Sequence, residues 1–207
     1  MLNKSGNITY LIEYPHDFDE TRKYPVLFFI HGAGGRGTDR SILSGYEVCR
    51  YRRNNPDKFP FLLVIPQCEH DSWFDIFEQL QAFVRHITGL PYADGKNVFL
   101  TGASMGGYTS YQLLMSMPDT FAGAVICCGG GMYWNAARIR TPVRIWHGKD
   151  DRTVFPDESI KMYDALKNCG KDVRLYLLEN TGHDCWTAAF SDDGTYAFFR
   201  SLMTGGR

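Results

Sequence analysis

The chain has 207 residues, 44% of them hydrophobic and 22% charged, with a formal net charge of −1. That length and ordinary globular usage fit one domain over residues 1–207 with a sizeable core, and they exclude a disordered or fibrous chain. A near-neutral chain has no positive field to hold a polyanion, so nucleic acid is not an expected partner, and Arg50-Tyr-Arg-Arg53 reads as the solvated end of a helix.

The first residues, Met1-Leu-Asn-Lys-Ser-Gly6, carry no apolar export segment. No run of about 18 apolar residues is present to span a bilayer. The expectation is a cytoplasmic protein without a membrane partner. Cys49, Cys68, Cys127, Cys128, Cys169 and Cys185 then read as reduced thiols. No CxxC or His/Cys cluster has zinc spacing, so neither a metal nor another cofactor is expected.

In chain order, apolar, β-branched or aromatic runs at Ile8–Tyr14, Val26–Ile30, Phe61–Ile65, Val98–Leu100, Ala124–Cys127, Val143–Trp146 and Val173–Leu178 predict about seven strands. Helical patterns fall between them at Ser41–Arg53, Phe74–Ile87, Met105–Ser116 and Asp157–Asn168, with a last one at Thr195–Met203. In the second of these, Phe74, Phe77, Leu80, Val84 and Ile87 recur at three- and four-residue steps, which predicts one buried face against the sheet. Strands alternating with helices predict an α/β fold, with a mostly parallel sheet covered on both faces. Such sheets gather functional groups in the loops after their strands.

The segment Gly102-Ala-Ser104-Met-Gly106 lies between a strand pattern and a helix pattern, the context a G-x-S-x-G nucleophile elbow requires. Glycines two residues either side remove the side chains that would clash where strand and helix meet, and Ser104 is presented near a helix N-terminus that favours negative charge. A serine hydroxyl needs a base, and an imidazole is suited to the role. His183 follows the last strand, after Gly182, and is the candidate. His31 and His147 sit at the roots of loops and read as packed, hydrogen-bonded residues, and His16, His70 and His86 read as structural or surface residues.

The carboxylate that orients the imidazole should follow another strand, and Asp150 and Asp151 both do so. Spacing does not separate them. The chain order Ser, Asp, His is that of α/β-hydrolases. For the oxyanion of an acyl-transfer intermediate, Met105 N–H follows the nucleophile, and a second donor is expected from Ile30-His-Gly-Ala-Gly-Gly35. That glycine-rich loop matches neither nucleotide-binding pattern.

Tyr24-Pro-Val-Leu-Phe-Phe-Ile-His-Gly-Ala-Gly-Gly35, Val64-Ile-Pro-Gln67, Phe99-Leu-Thr-Gly-Ala-Ser-Met-Gly-Gly-Tyr108, His147-Gly-Lys-Asp-Asp151 with Val154, and Gly182-His-Asp-Cys-Trp186 together cover nearly the whole chain. In these segments it resembles α/β-hydrolase esterases related to feruloyl and acetylxylan esterases, dienelactone-hydrolase-like proteins and the peptidases grouped with them. The resemblance implies the α/β-hydrolase fold, selects Asp151 over Asp150, and places the second oxyanion N–H at Ala33, with Gly34 as the alternative. Dienelactone hydrolases use a cysteine nucleophile where Ser104 stands, so their cyclic substrate does not carry over.

The expected activity is serine carboxylic-ester hydrolysis through an acyl-enzyme, on short-chain or aromatic acyl esters such as acylated sugars. A serine peptidase of the same fold and a non-catalytic binding module are the alternatives. Only Gly129–Thr141 separates the strands at Cys127 and Val143, too little for a large cap, and no amphipathic lid of the lipase kind is found. Trp73, Trp134 and Trp186 lie near loops at the active edge. Trp73 is the expected substrate contact, with Gly34.

Overall fold

Side chains of successive strand residues point to opposite faces, so a continuous apolar run is stable only where both faces are covered. The computed structural model describes residues 1–204 and shows one sheet of this kind. Its eight strands are β1 (Leu2–Ser5), β2 (Ile8–Glu13), β3 (Tyr24–Ile30), β4 (Leu62–Gln67), β5 (Ala93–Ala103), β6 (Gly123–Cys127), β7 (Val143–Gly148) and β8 (Val173–Leu178). They lie in the order β1-β2-β4-β3-β5-β6-β7-β8. The β1–β2 and β2–β4 pairs are antiparallel and the rest parallel.

In β3, Val26, Phe28 and Ile30 enter one hydrophobic cluster while Leu27 and Phe29 enter the other. The first cluster is closed by α2 (Phe77–Thr88), α3 (Met105–Ser116) and α4 (Asp157–Asn168), the second by α1 (Glu47–Asn54), α5 (Trp186–Ser191) and α6 (Asp193–Ser201). No helix among the described residues is long and apolar enough to cross a membrane.

Four local features differ from expectation. The eighth strand, β1, pairs with β2 across the two-residue loop Gly6-Asn7, where Gly6 has φ +58°, the positive value that a tight hairpin asks of its first central residue. The helix expected over Ser41–Arg53 is broken: a 3-10 segment covers Arg40–Gly45, Tyr46 is extended at φ −64° and ψ 150°, and α1 follows. The helix expected from Phe74 begins at Phe77, so Phe74 sits in a 3-10 turn and points out at 50% exposure, while Phe83 joins Leu80, Val84 and Ile87 inside. Finally, α5 occupies the stretch directly after the His183 loop, where no helix was expected.

Candidate active site

The central strand β5 runs directly into α3 through Ser104, whose backbone stands at φ 56° and ψ −122°. A non-glycine residue in that region is strained by about 1–3 kcal/mol, and the surrounding packing must hold it there. Ser104 N–H donates to Cys127 O at 3.0 Å, and Ser104 C=O accepts from Gly107 N at 2.8 Å and Tyr108 N at 3.1 Å. A Cβ on Gly106 would stand 1.9 Å from Ile30 O, and one on Gly102 would stand 2.5 Å from Gly106 O. The two flanking glycines are therefore what let β3, β5 and α3 meet closely enough to force the turn.

His183 hangs on the loop after β8 and Asp151 on the loop after β7. The two loops are pressed together: a Cβ on Gly148 would meet Gly182 O at 2.1 Å, and Asp150 N donates to Thr181 O at 2.9 Å. The result is a chain of hydrogen bonds from Ser104 Oγ to His183 Nε2, 2.9 Å, and from His183 Nδ1 to Asp151 Oδ2, 2.7 Å. Asp150 faces solvent and takes no part. Asp151 is 2% exposed. Burial works against its charge, but the hydrogen bond from His183 and those from Val154 N and Thr153 N outweigh burial and hold its carboxyl below the usual carboxylate range.

His147 is a further partner of the same carboxylate. It is fully buried, with Nε2 at 2.9 Å from Val154 O and 3.2 Å from Asp151 Oδ2. Both neighbours are acceptors, so Nε2 carries a hydrogen. Nδ1 lies 2.7 Å from Ser159 Oγ on α4. The packed histidine expected at this position thus also braces Asp151, and the H-G-x-x-D spacing that puts it one loop turn from the aspartate was the signal for it.

Met105 is the first residue of α3 and Ala33 the first of a 3-10 turn, Ala33–Gly35, so neither N–H has an intrahelical carbonyl to reach. The turn lies against Ser104: a Cβ on Gly32 would be 3.3 Å from Ser104 Cβ. It is braced from below. Buried Gln67 donates to Gly35 O at 3.2 Å and Asp39 O at 2.9 Å, Arg36 Nε donates to Ala33 O at 2.9 Å, and Arg40 bonds the Gln67 side-chain oxygen. His31 Nδ1 donates to Gly32 O at 2.7 Å while its Nε2 accepts from Cys68 N at 3.0 Å. Burial depresses the His31 imidazole to about 4, so it stays neutral at pH 7.

A cavity of about 490 Å³ opens beside Ser104 and His183, lined by Phe29, Gly32–Gly35, Ile42, Tyr46, Thr153 and Trp186. Its walls are mostly apolar and aromatic. Trp186 stands edge-on to the His183 ring, with centroids 5.3 Å apart and planes at 90°. Gly34 lines this cavity as expected, whereas Trp73 does not. The Trp73 indole is fully buried, with Nε1 donating to His31 O at 3.0 Å, because the capped turn at Ser72 directs the ring under the loop rather than over it. Trp186 occupies the wall that Trp73 was expected to supply.

The sequence spacing hides one cluster that the fold assembles. Cys128 Sγ, an Asp151 oxygen and a His183 nitrogen lie within 4.8 Å of one another. His183 already bonds both Asp151 and Ser104, and hydrogen bonding to Cys185 together with burial keeps the Cys128 thiol protonated, so the imidazole and the carboxylate are committed to the serine–histidine–aspartate chain.

The model of the dienelactone hydrolase family matches residues 66–194. Among solved structures, a thermostable esterase superposes with a TM-score of 0.83 and 28% identity, covering 94% of this chain and 59% of that one. Est1E from Butyrivibrio proteoclasticus, solved with ferulic acid bound, has the same fold at 13% identity and a TM-score of 0.75, covering 99% of this chain and 100% of that one. Dipeptidyl-peptidase 5 of Porphyromonas gingivalis is 19% identical over 84% of this chain, which spans only 33% of that relative's length.

Proposed function

Because the chain belongs to the dienelactone hydrolase family and is a hydrolase of the esterase and peptidase type, we propose that it cleaves carboxylic esters by two-step acyl transfer at Ser104. The observation that carries this reading is the unbroken bonding from Ser104 Oγ through His183 to Asp151, at 2.9 and 2.7 Å.

His183 Nε2 takes the Ser104 proton as Oγ attacks the ester carbonyl, and the carbonyl oxygen becomes the oxyanion. Met105 N–H and Ala33 N–H, with Gly34 N–H beside it, supply the donors aimed at that charge. The C–O bond to the alcohol breaks, His183 returns its proton to the leaving alkoxide, and Ser104 is left acylated. Water, deprotonated by His183, then releases the acid and restores the serine. Asp151 holds the Nδ1–H tautomer throughout and stabilises the imidazolium.

The apolar cavity suits a short or aromatic acyl group, and acylated sugars are the substrate class this reading favours. Ser104→Ala should abolish p-nitrophenyl acetate turnover with an unchanged circular dichroism spectrum, and a fluorophosphonate should label the parent chain but not the variant. Turnover retained by the variant would remove Ser104 from the mechanism. The likeness to dipeptidyl-peptidases supports a second reading, amide cleavage by the same residues. Amides expel a poorer leaving group, so parallel assays of dipeptidyl p-nitroanilides and p-nitrophenyl esters rank the two.

A further inference from the structure

A second cavity, of about 420 Å³, lies between α3, α4 and the loop after β6, and no step of the reaction above uses it. We propose that this groove is a carbohydrate subsite that holds the sugar half of an acylated sugar while the acyl half occupies the apolar cavity; the proposal rests on the esterase reading and extends it.

Position is the first observation. The groove begins one turn along α3 from the nucleophile, at Tyr108, whose N–H bonds Ser104 C=O at 3.1 Å. The loop that forms its floor is pressed onto the same turn, since a Cβ on Gly129 would stand 2.8 Å from Gly107 Cα. The apolar cavity belongs to the other face of the sheet: Tyr46 and Trp186 pack with the cluster under α1, α5 and α6, whereas Met132 of the groove packs with the cluster under α2, α3 and α4. Ser104 lines the apolar cavity, and the groove starts four residues further along α3, at Tyr108. The substituents of a tetrahedral intermediate diverge from the attacked carbon, so acyl and alkoxy groups point away from a serine in different directions, and the proposal assigns the apolar cavity to the first and the groove to the second.

Chemistry is the second. Trp134 is 72% exposed, Phe74 50% and Tyr133 47%, among the largest apolar surfaces the protein leaves in water. Tyr133 and Trp134 stand edge to face at 5.1 Å and 82°. Exposed apolar patches of this kind mark binding surfaces. Their rim is polar: Gln112, Glu158 and Lys161 line the same groove, and the Glu158–Lys161 contact is loose at 3.9 Å. A sugar ring has an apolar C–H face that lies flat on an indole and an edge of hydroxyls that both donate and accept. An aromatic floor with a carboxylate, an ammonium and an amide at its edge matches that pair of surfaces.

The test uses two variants. Ser104→Ala, unable to turn over substrate, should bind unacylated xylohexaose in a saturable fluorescence or calorimetric titration, and adding Trp134→Ala should weaken that binding by about tenfold or more. In the active chain, Trp134→Ala should raise KM for acetylated xylo-oligosaccharides by about tenfold while p-nitrophenyl acetate kinetics stay within about twofold. Absence of saturable xylohexaose binding to Ser104→Ala overturns the proposal, as does a Trp134 effect of equal size on both esters or one confined to the acyl group. Failure of the parent chain to hydrolyse p-nitrophenyl acetate would instead count against the esterase reading, and the xylohexaose titration still decides the subsite.

Discussion

The two sides of Ser104 are built from opposite materials. On the side of the apolar cavity, the loop from His31 to Gly35 is held by Gln67, Arg36 and the Trp73 indole, and nearly every polar group that shapes it has a partner. On the other side, Tyr133, Trp134 and Phe74 stand in solvent on a loop and a short turn. Groups that must meet a developing charge within a few tenths of an ångström are locked by a second layer of bonds, because misplacement there loses rate directly. Under the proposed subsite, groups that only have to cover a ligand surface are left free.

The contrast predicts a gradient of effects. His183→Ala, which leaves Ser104 without a base, should lower kcat by on the order of 10⁴-fold or more with the melting transition unchanged, read by steady-state kinetics and calorimetry. Gly106→Ala puts a methyl 1.9 Å from Ile30 O and should cost about 3 kcal/mol or more of stability in urea titration, with loss of activity even where the chain still folds.

Acidification strains the locked side further. His31 is depressed to about 4, so between the unfolded value near 6.5 and that point the unfolded chain binds more protons than the folded one. Stability should therefore fall as pH drops through that window, by up to about 3 kcal/mol, and level off below it. Denaturant midpoints at pH 7 and pH 4.5 check this, and the drop should shrink in His31→Gln, which keeps an acceptor for Cys68 N–H without a titrating ring.

A smaller effect is expected one layer out. His147→Gln removes an imidazole from Asp151 and should lower kcat by about tenfold, less than Asp151→Asn, with a displaced acid limb of the pH–rate profile that a merely structural change would not produce. On the free side, Trp134→Ala should change stability by no more than about 0.5 kcal/mol. A large stability loss there would erase the contrast between the two sides.

How much of this could be read from the chain depended on how local each cause was. The elbow was legible because its requirements, a strand, two glycines and a helix, are consecutive. Met105–Ser116 and Asp157–Asn168 were read to the residue, since each begins and ends at local signals. Asp151 was separable from Asp150 only through resemblance, because the choice depends on loops after two different strands. Trp73 was misplaced for the same reason: its neighbour His31 is 42 positions away. β1 was missed although Gly6-Asn7 is a hairpin signal, as Leu2–Ser5 is short and has Leu2 as its single apolar residue. The gathering of Cys128 beside Asp151 and His183, and of Phe74 with Trp134, comes from the order of strands in the sheet, which no local pattern carries.

His183 is suspended from β8, which pairs with β7 alone and carries no fully buried residue along its length. His183, the proposed general base, thus hangs from an edge of the sheet, while Ser104, the proposed nucleophile, follows one of its central strands. Heating should consequently silence the enzyme before it melts: activity would decay reversibly some degrees below the calorimetric transition, with amide exchange along residues 173–183 rising in step and that of β5 still slow.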